Sequence, residues 1–391
     1  MGMQPKLRFK GFTDDWEKRR LGDVVNKVRS YSLSRDVECN KSTGYKYIHY
    51  GDIHTGVADI INKKSVLPNI KPNQYDTLSV NDLIVADASE DYQGIASPAV
   101  IQALPDENLV AGLHTIALRP QDTNATFLYY LLHTGNFKHF GYRAGTGLKV
   151  FGISWPNLSK FEFNLPSQKE QDKVVDLLRL LDNLVVVNQR KVDLLKRKKA
   201  GYLQKLFPKN GQNNPELRFK GYTDAWEKRR LRDISKISAG GDVNKDKLTK
   251  IGKYPVLANS LTNDGIIGYY EDYKVKAPAV TVTGRGDVGH AKARHIGYTP
   301  TVRLLSVQSD DFDVNFLENS INHTKIFIES TGVPQLTSPQ LGSVYITFPS
   351  LKEQTIIGKF LRNLDNLIAV NQRKVDLLKR EKKALLQKMF V

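Results

Sequence analysis

The sequence predicts an α+β (mixed α/β) chain: two globular domains joined by two long helices that pair antiparallel as a coiled coil, with an internal pseudo-two-fold repeat. Three observations lead there. Ser167 to Phe207 aligns with Ser350 to Phe390 at a constant offset of 183, and with the preceding prolines 27 of 42 positions match. A second repeat, LRFKGFTDDWEKRRLGD from Leu7 and LRFKGYTDAWEKRRLRD from Leu217, keeps 14 of 17 positions at an offset of 210. Between these lie Val24 to Leu165 and Ile234 to Phe348, inserts of 142 and 115 residues with little in common. Constant and variable segments therefore alternate twice.

The domains follow in order. Residues 1–165 form the first globular domain with its entry segment, 166–207 the first long helix, 208–348 the second domain with the repeated entry segment, and 349–391 the second long helix. Each insert holds a short apolar run that ends in a polar loop, in SVNDLIVADASEDYQG and in PAVTVTGRGDVGH. A strand-like run follows, HTIALRP near Thr115 and TVRLLSV near Val302, then a helical stretch, Phe127 to Phe140 and Phe316 to Ile328. Thr146-Gly147 and Thr331-Gly332 read as turns before the strand and proline that lead into each long helix. The inserts share an outline and differ in their loops, which is how a scaffold varies what it recognises.

In the repeated C-terminal parts, positions alternately four and three apart form a heptad seam. It runs through Leu181, Asn188 and Leu195 in one copy and Leu364, Asn371 and Leu378 in the other. Helices of this length need a partner, and the obvious partner is the other copy. An antiparallel pair would bring Asn188 and Asn371 near its middle, where a hydrogen bond between them would fix register. The alternative is that both face solvent at a break in the seam.

With 391 residues and 40% hydrophobic content, two or three domains with real cores are expected. No apolar run of membrane-spanning length and no signal-like N-terminus occur, so the expected location is the cytoplasm, without membrane contact. A single cysteine, Cys39, excludes an internal disulfide and any CxxC metal site. The net charge of +17 makes nucleic acid the first candidate partner. Yet the first insert carries 13 Lys and Arg against 13 Asp and Glu, and the second 12 against 11, so nearly all the excess sits in the repeated frames. Any DNA contact made by an insert must come from locally placed groups.

Signs of catalysis are few. GRGDVGH lacks the spacing of a dinucleotide turn, and no phosphate-binding GxxxxGK[ST], HExxH, GxSxG or Asn-Pro-Pro-aromatic motif occurs. Asp87, Glu90 and Asp91 make a carboxylate cluster that reads more readily as a solvated loop than as a metal site.

Two variable domains alternating with two repeated helices, each introduced by a proline and a KEQ (Lys169 to Gln171, Lys352 to Gln354), resemble the specificity subunit of a Type I restriction-modification system. The further marks are the Trp16 and Trp226 entries and the Thr-Gly turns, with STGVPQLT at Ser330 to Thr337. GTGLKVFGIS is two residues longer before its shared proline, which shifts the alignment of that turn. The resemblance covers the whole chain. It implies a subunit with no activity or cofactor of its own, whose inserts each read half of an asymmetric bipartite double-stranded DNA target and whose helices set the gap. It also implies two S-adenosylmethionine-dependent methyltransferase subunits docked on the repeated frame, with translocase-nuclease subunits using ATP and Mg²⁺. A coiled-coil scaffold that never touches DNA is the alternative.

Candidate DNA contacts follow from which groups suit base edges. In the first insert they are Tyr50, Asp52, His54, Ser89, Tyr92, Thr146 and Lys149. In the second they are Thr283, Arg285, His290, Lys292, Arg294, Thr331 and Gln335, among glycines that let a loop approach a groove.

Overall fold

The computed structural model of the protein describes residues 4–91, 94–147, 150–209, 212–326 and 332–390. It divides into two compact units, one of residues 1–187 with 375–391 and one of residues 188–374. Among the described residues no helix is long and apolar enough to cross a membrane.

The first unit is built on a five-stranded sheet in the order Val25–Val28, Thr115–Pro120, Leu83–Ala86, Pro98–Ile101, Ile60–Ile61, antiparallel except for the last pair. Its central run Leu83–Ala86 is apolar at every position because both faces are covered. Alternation sends Leu83 and Val85 into a core with Trp16, Phe127, Tyr130 and Leu178. Ile84 and Ala86 enter a second cluster with Ile48, Leu109 and Ala111. Those three come from a four-stranded sheet ordered Asn108–Ala111, Tyr45–Ile48, Asn69–Ile70, Glu38–Cys39. The helical stretch expected at Phe127 to Phe140 is two helices, Ala125–Leu131 and Gly135–Ala144, because Thr134 caps the second and closes the first.

The second unit repeats the plan with fewer strands. Its four-stranded antiparallel sheet is ordered Lys236–Ala239, Leu304–Gln308, Ala279–Thr283, Ala291–Arg294. Val280, Val282, Leu305 and Val307 pack on Trp226, Phe316 and Leu317. A three-stranded sheet, Ile266–Tyr270, Tyr254–Leu257, Thr299–Pro300, lies in the same unit.

Several positions shared by the two copies of the frame have a physical reason. The EKRR segments form strands Glu17–Arg20 and Glu227–Arg230, each paired antiparallel with the strand that leads to a long helix, Glu162–Leu165 and Tyr345–Phe348. The KEQ is a latch. Glu170 accepts from Arg8 Nε and Nη2 at 2.7 and 2.9 Å, and Glu353 from Arg218 at 2.8 and 2.8 Å. Gln171 donates to the Pro166 carbonyl at 2.9 Å and accepts from Asn124 N at 2.9 Å. Gln354 does the same with Pro349 at 2.9 Å and Asp313 N at 3.2 Å. Asn124 and Asp313 are themselves helix N-caps, so each insert is fastened to the start of its long helix.

Both long helices span 39 residues, Gln168–Leu206 and Leu351–Met389, about 58 Å each at 1.5 Å per residue. Within each unit the helix segments run antiparallel. Asp182 meets Lys382 in the first, beside a core joining Val174 and Leu178 to Met389. Lys199 meets Asp365 in the second, where Tyr202 packs on Phe360. The two ion pairs are the same pair moved by the repeat. Leu181, Asn188, Asn371 and Leu378 are buried and Leu195 and Leu364 half-buried, as a seam requires. The asparagines do not face each other at one level, however. Lys199 against Asp365 sets Asn371 level with Asp193, five residues and about 7 Å from Asn188. Asn371 Nδ2 turns back to the Leu367 carbonyl at 2.7 Å on its own helix.

Candidate nucleic-acid interface

In each unit the polar loop that follows the apolar run belongs to a hairpin, and a later segment folds back to pair with it, Phe151–Gly152 in the first unit and Pro334 to Leu336 in the second. In the first unit the hairpin joins Leu83–Ala86 to Pro98–Ile101, and its outgoing strand Ala88–Ser89 pairs with Phe151–Gly152. Ile153 N donates to the Asp87 carbonyl at 2.8 Å, and Thr146 exchanges backbone bonds of 2.9 and 2.8 Å with Gly152. Gly147 makes the return at φ +131, where a Cβ would lie 1.9 Å from the Val150 carbonyl oxygen. No other residue fits there.

In the second unit the hairpin joins Ala279–Thr283 to Ala291–Arg294, and its tip turns through Gly286 and Gly289 at φ +74 and +85. Gly286 N donates to the Pro334 carbonyl at 3.1 Å and Leu336 N to that of Gly284 at 2.8 Å, and Arg285 bridges Gln335. The same construction thus carries two unrelated tips.

A third element braces each tip. Helix Tyr50–His54 follows strand Tyr45–Ile48, and His54 Nε2 lies 2.8 Å from the Ala88 carbonyl. After the corresponding strand Tyr254–Leu257, Asn259 donates to the Arg285 carbonyl at 2.8 Å and accepts from Gly284 N at 2.7 Å. His49 caps the Tyr50 helix, its Nδ1 accepting from Gly51 N at 3.1 Å. Burial, with the Arg35 guanidinium nearby, lowers the pKa of His49 and so favours that neutral acceptor.

These contacts sort the sequence candidates. Tyr50 is half-buried, its ring meeting those of His49, His54 and His114 at 4.5, 5.9 and 5.3 Å, while His54 and Thr146 are exposed. Arg285 is half-exposed, and His290, Lys292 and Gln335 are exposed. Four candidates instead hold the loops. Asp52 is buried, with its carboxylate taken by Arg35 at 2.8 Å and His49 N at 2.9 Å. Ser89 is buried and accepts from Asp91 N at 3.3 Å. Thr283 Oγ1 donates to the Asp287 carbonyl and accepts from His290 N at 3.0 Å, closing the hairpin turn. Arg294 is spent on Thr281 Oγ1 at 3.0 Å and on Asp264 at 2.9 and 3.2 Å. Tyr92, Lys149 and Thr331 lie outside the described residues.

Asn259 and His114 belong to these sites and carry no sequence signal beyond their place after or before a strand. Among the described residues no group of three His, Cys, Asp or Glu could hold a metal ion, and two members of the Asp87, Glu90, Asp91 cluster contact other groups. Asp87 faces His114 at 3.0 Å, and Asp91 accepts from Gly94 N at 2.8 Å. The tips offer donors and acceptors on a fastened backbone, an arrangement suited to reading an edge.

Comparison with known proteins places the whole chain. A family model described as the Type I restriction modification DNA specificity domain matches twice, over residues 13–197 and 223–380. A putative type I specificity subunit of Mycoplasma pneumoniae is 29% identical over 293 residues, 70% of this chain and 75% of the relative. A putative type I restriction enzyme specificity subunit of Methanocaldococcus jannaschii is 24% identical over 95% of this chain and 92% of its own length. The crystal structure of a Type-I restriction-modification S subunit from M. genitalium superposes with a TM-score of 0.68 at 15% identity, covering 100% of this chain and 99% of that one, a likeness of fold.

Proposed function

The chain belongs to the Type I restriction modification DNA specificity family and is a non-catalytic recognition subunit; from that premise we propose that its two units each read one half of an asymmetric, bipartite target. The observation that carries this reading is the shared hairpin, with a later segment paired to it, under unrelated tips: one scaffold, two loops, two half-sites. Residues 1–165 and 208–348 are the readers, and residues 166–207 and 349–391 the spacer that sets the unread gap. Tyr50, His54, Thr146, Arg285, His290, Lys292 and Gln335 are the groups placed to meet base edges or phosphates. The scaffold reading without DNA is set aside with the family assignment.

The repeated helices also supply equivalent docking faces. Leu184, Val187 and Leu377 are exposed in the first unit, and Leu367, Val370 and Leu194 in the second. Each is its counterpart moved by 183 residues, and the Asp182–Lys382 register sets Val187 level with Leu377. Two copies of one methyltransferase, carrying S-adenosylmethionine, fit two such faces; ATP and Mg²⁺ serve the translocase-nuclease subunits that join them. Val187→Asp should leave one methyltransferase per chain, and Val187→Asp with Val370→Asp none, in mass measurements of the purified complex. Retention of both copies by the double variant would rule these faces out.

The test of the whole reading is single-molecule sequencing of adenine methylation in cells expressing this chain with its methyltransferase, against the methyltransferase alone. A chain-dependent motif of two unlike half-sites around a fixed gap is expected. An assembled complex that yields no such motif refutes the proposal.

A further inference from the structure

Asp87 and His114 form a pair in the first unit that is not among the groups proposed above to meet DNA. His114 Nδ1 and Asp87 Oδ1 lie 3.0 Å apart, and the His114 side chain stays 50% exposed. Backbone ties them as well, Asp87 N donating to the His114 carbonyl at 3.0 Å. His114 sits at φ +55, a conformation glycine adopts without strain. Its ring meets Tyr50 edge-on at 5.3 Å, and Tyr50 adjoins His54, which touches the hairpin at Ala88. The pair therefore stands on the rim shared by the Tyr50–His54 helix and the first hairpin tip.

We propose that His114, oriented by Asp87, determines the identity of one base pair in the half-site read by the first unit; the proposal rests on the reading given under Proposed function. A carboxylate that accepts the Nδ1 proton fixes the tautomer and ring plane, and leaves Nε2 to act outward. Among the described residues Nε2 of His114 has no partner. In the neutral ring it accepts, and matches the exocyclic amino group of adenine or cytosine; in the protonated ring it donates, and matches guanine N7 or O6. A carboxylate at a DNA surface opposes phosphate, so Asp87 beside this ring suits a base edge better than the backbone. Asp87 is a positioning residue here, and His114 the one that meets DNA.

The experiment compares His114→Asn, His114→Gly and Asp87→Asn with the unaltered chain, each expressed with the methyltransferase, by single-molecule sequencing of methylated motifs. Asparagine and glycine both accept φ +55, so these His114 variants keep the loop. The expected result is at least a tenfold loss of discrimination at one position of one half-site, with the other half-site and the gap unchanged. Asp87→Asn should loosen the same position by less. A uniform fall in methylation with the motif intact, or no change at all, overturns the proposal. If the unaltered chain specifies no motif, the parent reading fails, and this inference with it.

Discussion

Glu170→Ala should destabilise the first unit by about 3–5 kcal/mol, the usual loss when one partner of a buried ion pair is removed. Glu170 is 2% exposed and holds Arg8, itself 12% exposed, through two hydrogen bonds, and it accepts a third from Trp16 Nε1 at 3.2 Å. Removing the carboxylate strands a guanidinium and an indole N–H together. Glu353→Ala strands only Arg218, since Trp226 Nε1 is buried without a partner already. Its cost should be smaller by about the worth of one hydrogen bond, roughly 1 kcal/mol. The chain has two units and will not unfold in one step, so hydrogen exchange followed separately in each is the suitable measurement. Equal protection before and after the change in Trp16 and its neighbours would show that the latch holds nothing. Because the latch joins the entry segment to the helix that carries Leu184 and Val187, the Glu170 variant should also assemble poorly with its partner.

The architecture was legible because it is written twice. Repeats at offsets of 183 and 210 separate frame from insert without any structural information, and the heptad period of the seam survives as burial at Leu181, Asn188, Asn371 and Leu378. The KEQ was visible as a mark but its work was not, since Glu170 answers to Arg8, 162 residues away. The same holds for two of the candidate DNA contacts: Asp264, the partner of Arg294, lies in a different loop, and Arg35, the partner of Asp52, in a separate turn. Conversely, Asn259 gave no sign, because bracing a hairpin by its side chain needs only an amide and a suitable approach. The Asn188–Asn371 hydrogen bond was expected from composition of the seam alone; the register that offsets them is set by Lys199 and Asp365. Patterns of period two or 3.6 are local and can be read directly; pairings across a hundred residues are decided by the fold.

Arg285→Ala is expected to lower methylation of the cognate target about 5- to 150-fold, the roughly 1–3 kcal/mol worth of a bidentate arginine to guanine, and to relax one position of the second half-site. The structure gives this side chain what such a contact needs. Its carbonyl is held by Asn259 and its backbone bridges Gln335, while Gly284 and Gly286 on either side let the tip approach a groove closely. Thr283, in contrast, spends its side chain inside the hairpin, so Thr283→Val should loosen the tip and weaken every position of the half-site alike. Lysine at 285 keeps the charge but not the fork of donors, so Arg285→Lys separates the two ways arginine can act. If Arg285 pairs with guanine, the lysine variant loses discrimination at that base while retaining non-specific affinity and its salt dependence. If Arg285 only neutralises a phosphate, the lysine variant behaves as the unaltered chain, and the alanine variant loses cognate and non-specific binding in equal measure. Measuring both affinities at two salt concentrations for both variants decides between a residue that reads and one that merely holds.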